Sequence, residues 1–162
     1  LYNNSKTLSD LNFKVCVGNI VWNQCKNNLT DDKNKTLLIY SSDIKDNKLL
    51  IKTYSNKEKK NNINKKGNEN PLLVLNRGYG VGTYIFNYCI INENDNIKYL
   101  IENHLICIEY MDEISNGDLI EKYKKIIKSF ENKKTLDFIK IYFGNNAINT
   151  TELCNILPIY DI

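Results

Sequence analysis

The apolar period of this chain changes once, near Asp118, and that change limits the fold more than any other feature. Beyond it, Leu119, Tyr123, Ile126, Ile127 and Phe130 recur at helical spacing. Leu136, Ile139, Ile141, Tyr142 and Phe143 repeat the pattern after a break near residues 132–134, and Gly144 is placed to end that second helix as a C-cap. Asn149, with Glu152 three residues on, reads as a capping box opening a short helix that runs to Leu157 and stops at Pro158. Before Asp118 the apolar residues come instead as short alternating or continuous runs between turn residues, the pattern of strands. The fold class expected is therefore α+β: a strand-rich body with a glycine-rich corner, followed by C-terminal helices, in one domain over residues 1–162.

The strand runs are 13–22, with Gly18 marking a bulge or turn, then 37–40, 48–54, 72–75, 84–91, and 99–110 broken near Asn103. Residues 1–12 form a polar lead-in with a short turn or helix around 7–11, and 23–30 form a polar loop. Residues 55–70 hold one large apolar side chain, Ile63, and six lysines lie between Lys52 and Lys66 against one acid, Glu58. Such a stretch is expected to be a flexible basic loop with little part in the core, so that deleting most of 56–68 leaves folding intact. It is either a solvated linker or a non-specific phosphate contact.

The segment Leu75-Asn76-Arg77-Gly78-Tyr79-Gly80-Val81-Gly82 holds the chain's one arginine and three of its seven glycines. A phosphate-cradling loop leads into a helix, but Thr83-Tyr84-Ile85-Phe86-Asn87-Tyr88-Cys89-Ile90-Ile91 is β-branched and aromatic. The segment is a corner between two strands, and a plain twisted hairpin with a surface arginine fits the same residues. Arginine in such a corner offers a planar fork suited to phosphate or to the edge of guanine.

The single Trp, single His and single Arg stand beside amides or charged groups, in Val21-Trp22-Asn23-Gln24-Cys25-Lys26, in Ile101-Glu102-Asn103-His104 and in the glycine-rich corner. Those groups grip phosphates and read base edges, although Trp22 also suits a core and His104 a structural hydrogen bond. One histidine without clustered cysteines or carboxylates makes no metal site, and no nucleophile stands beside it. No catalytic residue is expected.

A net charge of +3 permits an anionic partner without requiring one. No apolar run reaches the ~18 residues of a membrane span. The start, without Met or a charged-then-apolar leader, suggests a fragment of a longer chain. Five scattered cysteines without a C-x-x-C pair suit a reducing, intracellular compartment and speak against zinc. The abundance of Asn, Lys and Ile points to an AT-rich coding sequence.

Three segments carry a family resemblance: Val21-Trp22-Asn23-Gln24-x-Lys26-x-x-Leu29, Glu102-Asn103-His104, and the run from Gly144 to Leu153 leading into Leu157-Pro158-Ile159. In this order, over about residues 15–160, they resemble the C-terminal target-recognition domain of adenine-N6 DNA methyltransferases, the TaqI-like branch of type II restriction–modification enzymes. The resemblance implies a domain that lies across the grooves of double-stranded DNA and selects the sequence. A separate N-terminal Rossmann-like domain of the parent chain would hold S-adenosylmethionine and methylate a flipped-out adenine, with or without an attached nuclease. This chain has no N-P-P-Y or D-P-P-Y motif, since Asn70-Pro71-Leu72-Leu73 lacks the second proline and the aromatic, and it has no strand–glycine–helix cofactor loop. Alone it is not expected to be an enzyme or to bind a cofactor.

On this reading Asn76, Arg77 and Tyr79 contact base edges or phosphate, and Asn23, Gln24 and Lys26 hold the backbone or a base. Asn145, Asn146 and Asn149 meet phosphate from a helix start, and Trp22, Asn103 and His104 brace the loops. The alternatives are a stand-alone specificity module and a protein-interaction module that keeps the fold without DNA binding.

Overall fold

A computed structural model describes residues 5–76, 87–142 and 149–160. Strand β1 (Ser5–Lys6) leads through a turn to β2 (Phe13–Val17). Two 3-10 turns, Trp22–Gln24 and Lys26–Asn28, precede β3 (Leu29–Thr30) and β4 (Thr36–Ile39). A third, Ser41–Asp43, opens a hairpin of β5 (Ile44–Lys45) and β6 (Lys48–Leu49). Its two linking residues, Asp46 and Asn47, have φ of 52° and 60°, the left-handed pair that matches strand twist in a tight hairpin. Then come β7 (Asn62–Ile63), β8 (Leu72–Asn76), β9 (Tyr88–Ile91), β10 (Tyr99–Ile101) and β11 (Leu105–Tyr110). Helices α1 (Asn116–Phe130), α2 (Lys133–Tyr142) and α3 (Thr150–Asn155) follow, and β12 (Ile159–Tyr160) returns to pair with β1.

Two four-stranded sheets form the body. One is antiparallel in the order β2-β11-β8-β9; the other runs β10-β4-β7-β3, with β10 and β4 parallel. Side-chain alternation sorts the apolar residues into layers. Leu73 and Leu75 of β8, with Ile106 and Ile108 of β11, face the helices and meet Leu119, Tyr123, Ile126 and Phe130 of α1. Leu72, Val74, Leu105 and Cys107 face the other way, against Ile39, Tyr99 and Ile101 of the second sheet. Leu38, Tyr40 and Leu100 leave that sheet's far side and build a third, smaller core with Ile20, Leu29 and Ile63. Strands buried on both faces explain why β8 and β11 read as continuous apolar runs.

The mixed α+β class expected from the period change is the observed one, and so are the break between α1 and α2, the interruption of 99–110 between β10 and β11, and the Asn149–Glu152 capping box. Of 48–54 only Lys48–Leu49 pairs as a strand, and Leu50 and Ile51 are exposed. The expectation for 55–70 needs correction at residues 62–63, where a core strand interrupts the expected loop. Asn62–Ile63 is a strand between β4 and β3, and Ile63 is fully buried. Asn62 donates its amide to the Lys35 carbonyl at 3.1 Å, while a Cβ at Gly67 would come within 2.9 Å of the Tyr99 nitrogen. One isoleucine and close backbone fit are enough to seat the stretch, which composition alone does not reveal. The Gly144 cap, residues 84–86 of the expected strand, and the corner from Arg77 to Gly82 lie outside the described residues. Among the described residues no helix is long and apolar enough to cross a membrane.

Candidate nucleic-acid interface

Four strand ends meet at one edge of the first sheet. Gly18, just past β2, donates its N–H to the Leu105 carbonyl at 2.9 Å. Leu105 stands opposite Asn76, the end of β8, and the Asn76 N–H donates to the Asn87 carbonyl at 2.7 Å. Gly18 has no room for a side chain: a Cβ there would lie 2.3 Å from the Glu102 carbonyl oxygen and 2.4 Å from that of Ile101. This closeness lets the chain run alongside residues 101–103, with the Ile20 N–H donating to Ile101 and the Asn103 N–H donating to Ile20 at 2.8 Å. The Trp22–Gln24 turn is thereby delivered beside Glu102-Asn103-His104, joining two motifs far apart in sequence.

Glu102 is 2% exposed, and its Oε1 accepts the His104 backbone N–H at 3.1 Å and lies 2.7 Å from His104 Nδ1. Its Oε2, and the buried Oδ1 of Asn103, have no hydrogen-bond partner among the described residues. Such acceptors are costly to bury without a partner; the His104 ring itself is exposed. Asn76 donates its side-chain amide to the Ser41 carbonyl at 3.1 Å, which ties the end of β8 to the third 3-10 turn.

Trp22 is half-buried and takes part in a cluster that sequence reading does not expect. The Lys59 ammonium lies 4.3 Å from the Tyr54 ring centroid, 4.6 Å from Tyr40 and 5.7 Å from Trp22, within cation–π range of all three. Lys26 sits 5.8 Å from the Trp22 centroid and pairs with Glu58 at 2.6 Å. Beneath the rings, Asp43 is 1% exposed and accepts from the Tyr40 and Lys52 backbone N–H groups, both at 2.9 Å, and from the Tyr54 hydroxyl at 3.0 Å. Burial, then the charges of Glu102 and Asp43, pushes the Tyr40 phenol far above its usual range. Burial does the same to Tyr54. No local signal joins Trp22, Tyr40, Tyr54 and Lys59; only the pairing of the second sheet brings them together.

Asn23 and Gln24 are exposed on their 3-10 turn, and their side chains make no hydrogen bond among the described residues. Asn149 is also exposed, but its Oδ1 accepts the Glu152 N–H at 2.8 Å, so it caps α3. That helix packs on β2, with Cys154 Sγ 3.7 Å from the carbonyl of Phe13, at the opposite end of the strand from Gly18. Arg77, Tyr79, Asn145 and Asn146 lie outside the described residues. Among the described residues no cluster of His, Cys, Asp or Glu is arranged to hold a metal ion. No protein-family model matches this chain, and comparison with curated proteins also finds no match.

Proposed function

We propose that this chain is a sequence-specific double-stranded DNA recognition domain belonging to an S-adenosylmethionine-dependent adenine-N6 methyltransferase of restriction–modification type, without a catalytic centre of its own. One observation carries the reading: the 18–26 segment, the end of β8 and Glu102-Asn103-His104 converge at one edge of the first sheet. The convergence leaves Asn23 and Gln24 exposed on a turn that follows the close backbone pairing of Gly18 and Ile20 with residues 101–103. Side-chain amides carry a donor and an acceptor and match the N6/N7 edge of adenine. Arg77 directly follows Asn76, the last residue of β8, and would bring a bidentate fork to the same edge. Trp22, Asn103 and His104 support that edge.

These residues do not suit S-adenosylmethionine. The first described element after the glycine-rich segment is the strand β9, whereas a cofactor loop leads into a helix N-terminus. In the proposal the cofactor is held by a separate domain of the parent chain.

Selection of duplexes from a randomised pool, followed by anisotropy titration, tests the reading. A consensus should emerge, and Arg77→Ala or Gln24→Ala should weaken binding to it by about 1–3 kcal/mol while leaving unrelated duplexes almost unaffected. A pool that yields no consensus at low salt overturns the proposal.

A further inference from the structure

We infer that a lysine-lined groove on the second sheet is a track for the phosphodiester backbone of nucleic acid, extending the recognition edge; the inference deepens the DNA-recognition reading and rests on it. The groove is a cleft of about 1030 Å³ lined by Lys33, Lys35, Lys57, Lys59, Lys60 and Lys98, with Asp31 as its one acid. A second concavity of about 490 Å³ shares Asn34, Lys35 and Lys98 with it and adds Lys65 and Lys66 against a single acid, Glu69. Eight lysines and two carboxylates thus line one continuous surface, whereas the whole chain is only +3. Among the lining residues lysines outnumber carboxylates far more than basic residues outnumber acidic ones in the chain as a whole.

Most of this charge is uncompensated. Lys60 lies 3.9 Å from Asp31, and Lys59 is held over the three rings. Lys33, Lys35, Lys57, Lys65, Lys66 and Lys98 make no ion pair among the described residues. Several of them are also spaced by fixed backbone. The Leu37 N–H donates to the Lys98 carbonyl at 2.9 Å, the Asn62 amide to Lys35 and the Thr36 hydroxyl to Lys65 at 2.5 Å, so their main chains belong to the sheet and its edges. Exposed asparagines at 34, 56 and 96 stand among the ammonium groups and add neutral donors for phosphate oxygens.

The number of lysines points to a polymer. The two concavities share Lys35 and Lys98, so eight lysines line adjoining surface, more than a single phosphate group would engage. Lys59 and Tyr54 line the groove and also belong to the cluster around Trp22, so the track begins where the Trp22–Gln24 turn ends. A backbone gripped in the groove would pass that turn and its exposed amides.

The test uses the full chain and a triple variant, Lys33→Gln, Lys35→Gln and Lys98→Gln, all at exposed positions, with unchanged thermal melting as the control for folding. Affinity for a selected duplex and for an unrelated one is followed between about 50 and 200 mM salt. Three lost phosphate contacts should lower the salt slope by about 2–3 for both duplexes alike, and DNA should protect Lys35, Lys57 and Lys98 from acetylation. If a consensus duplex is selected but slope and protection do not change, the groove is overturned and the recognition reading survives. If no consensus is selected but the variant still loses slope on arbitrary duplexes, the groove stands and sequence recognition falls. If the lysines are needed for binding anionic phospholipid vesicles and not for DNA, the inference is overturned in favour of a membrane surface.

Discussion

The carbonyl oxygen of Glu102 lies where a Cβ on Gly18 would have to go, at a separation of 2.3 Å. Backbone faces backbone there, so no rotamer change relieves the overlap, and a glycine is what allows the 18–26 segment to lie beside Glu102-Asn103-His104. Gly18→Ala should destabilise the protein by about 1–3 kcal/mol, read as a shift in the urea midpoint. Because the displaced segment carries Asn23 and Gln24, the folded fraction should also lose affinity for the selected duplex. An unchanged midpoint would mean that the two segments separate easily.

Within the lysine-rich stretch, Ile63 is fully buried in the third core, with Leu29, Leu38 and Tyr40. Ile63→Ala should cost about 2–5 kcal/mol, whereas exposed Lys57→Ala should stay within about 0.5 kcal/mol. Deleting 56–68 removes β7 and leaves β4 and β3 without the strand between them. That deletion should unfold the protein, in contrast to what composition suggests, and circular dichroism would decide it. A deletion variant with native-like melting would return the segment to the status of a loop.

Alkaline pH should unfold the protein through its tyrosines. Burial raises the phenols of Tyr40, Tyr54, Tyr99 and Tyr123, and burial with a 2.6 Å hydrogen bond to Glu131 raises that of Tyr88. An acid whose folded pKa is raised holds more protons folded than unfolded, so stability falls as pH increases. The contribution is fully present below the unfolded tyrosine pKa of about 10 and is lost above it. Melts from about pH 9 to 12 should show falling midpoints, and phenolate absorbance should show these five of the eleven tyrosines ionising only with unfolding. Reversible ionisation of all tyrosines near pH 10, with secondary structure intact, would contradict this.

Local pattern was enough to locate the helices but not to orient α2, where Phe138 and Ile139 are buried while Leu136 and Ile141, expected in its apolar stripe, are exposed. Leu119, Tyr123, Ile126 and Phe130 mark the buried stripe of α1 by spacing alone, and the Asn149–Glu152 box needs only residues within one turn of each other. The interruption at residues 102–104 was also readable, because polar residues break an apolar run there. Asn76 was less so: as a residue type it suits base contact, but its amide is engaged by Ser41, a partner that no spacing rule supplies.

By itself the sequence determined the change from strand to helix, the breaks and caps, and which polar segments stood out, because each depends on neighbours within a few residues. The tertiary structure alone decided that Ile63 is core, that Lys59 sits among Trp22, Tyr40 and Tyr54, that the 18–26 segment lies against Glu102, and that scattered lysines share one groove. These outcomes follow from which strands pair and in what register. Pairing is settled by burial and backbone hydrogen bonds summed over the whole molecule, so no single window of residues contains them.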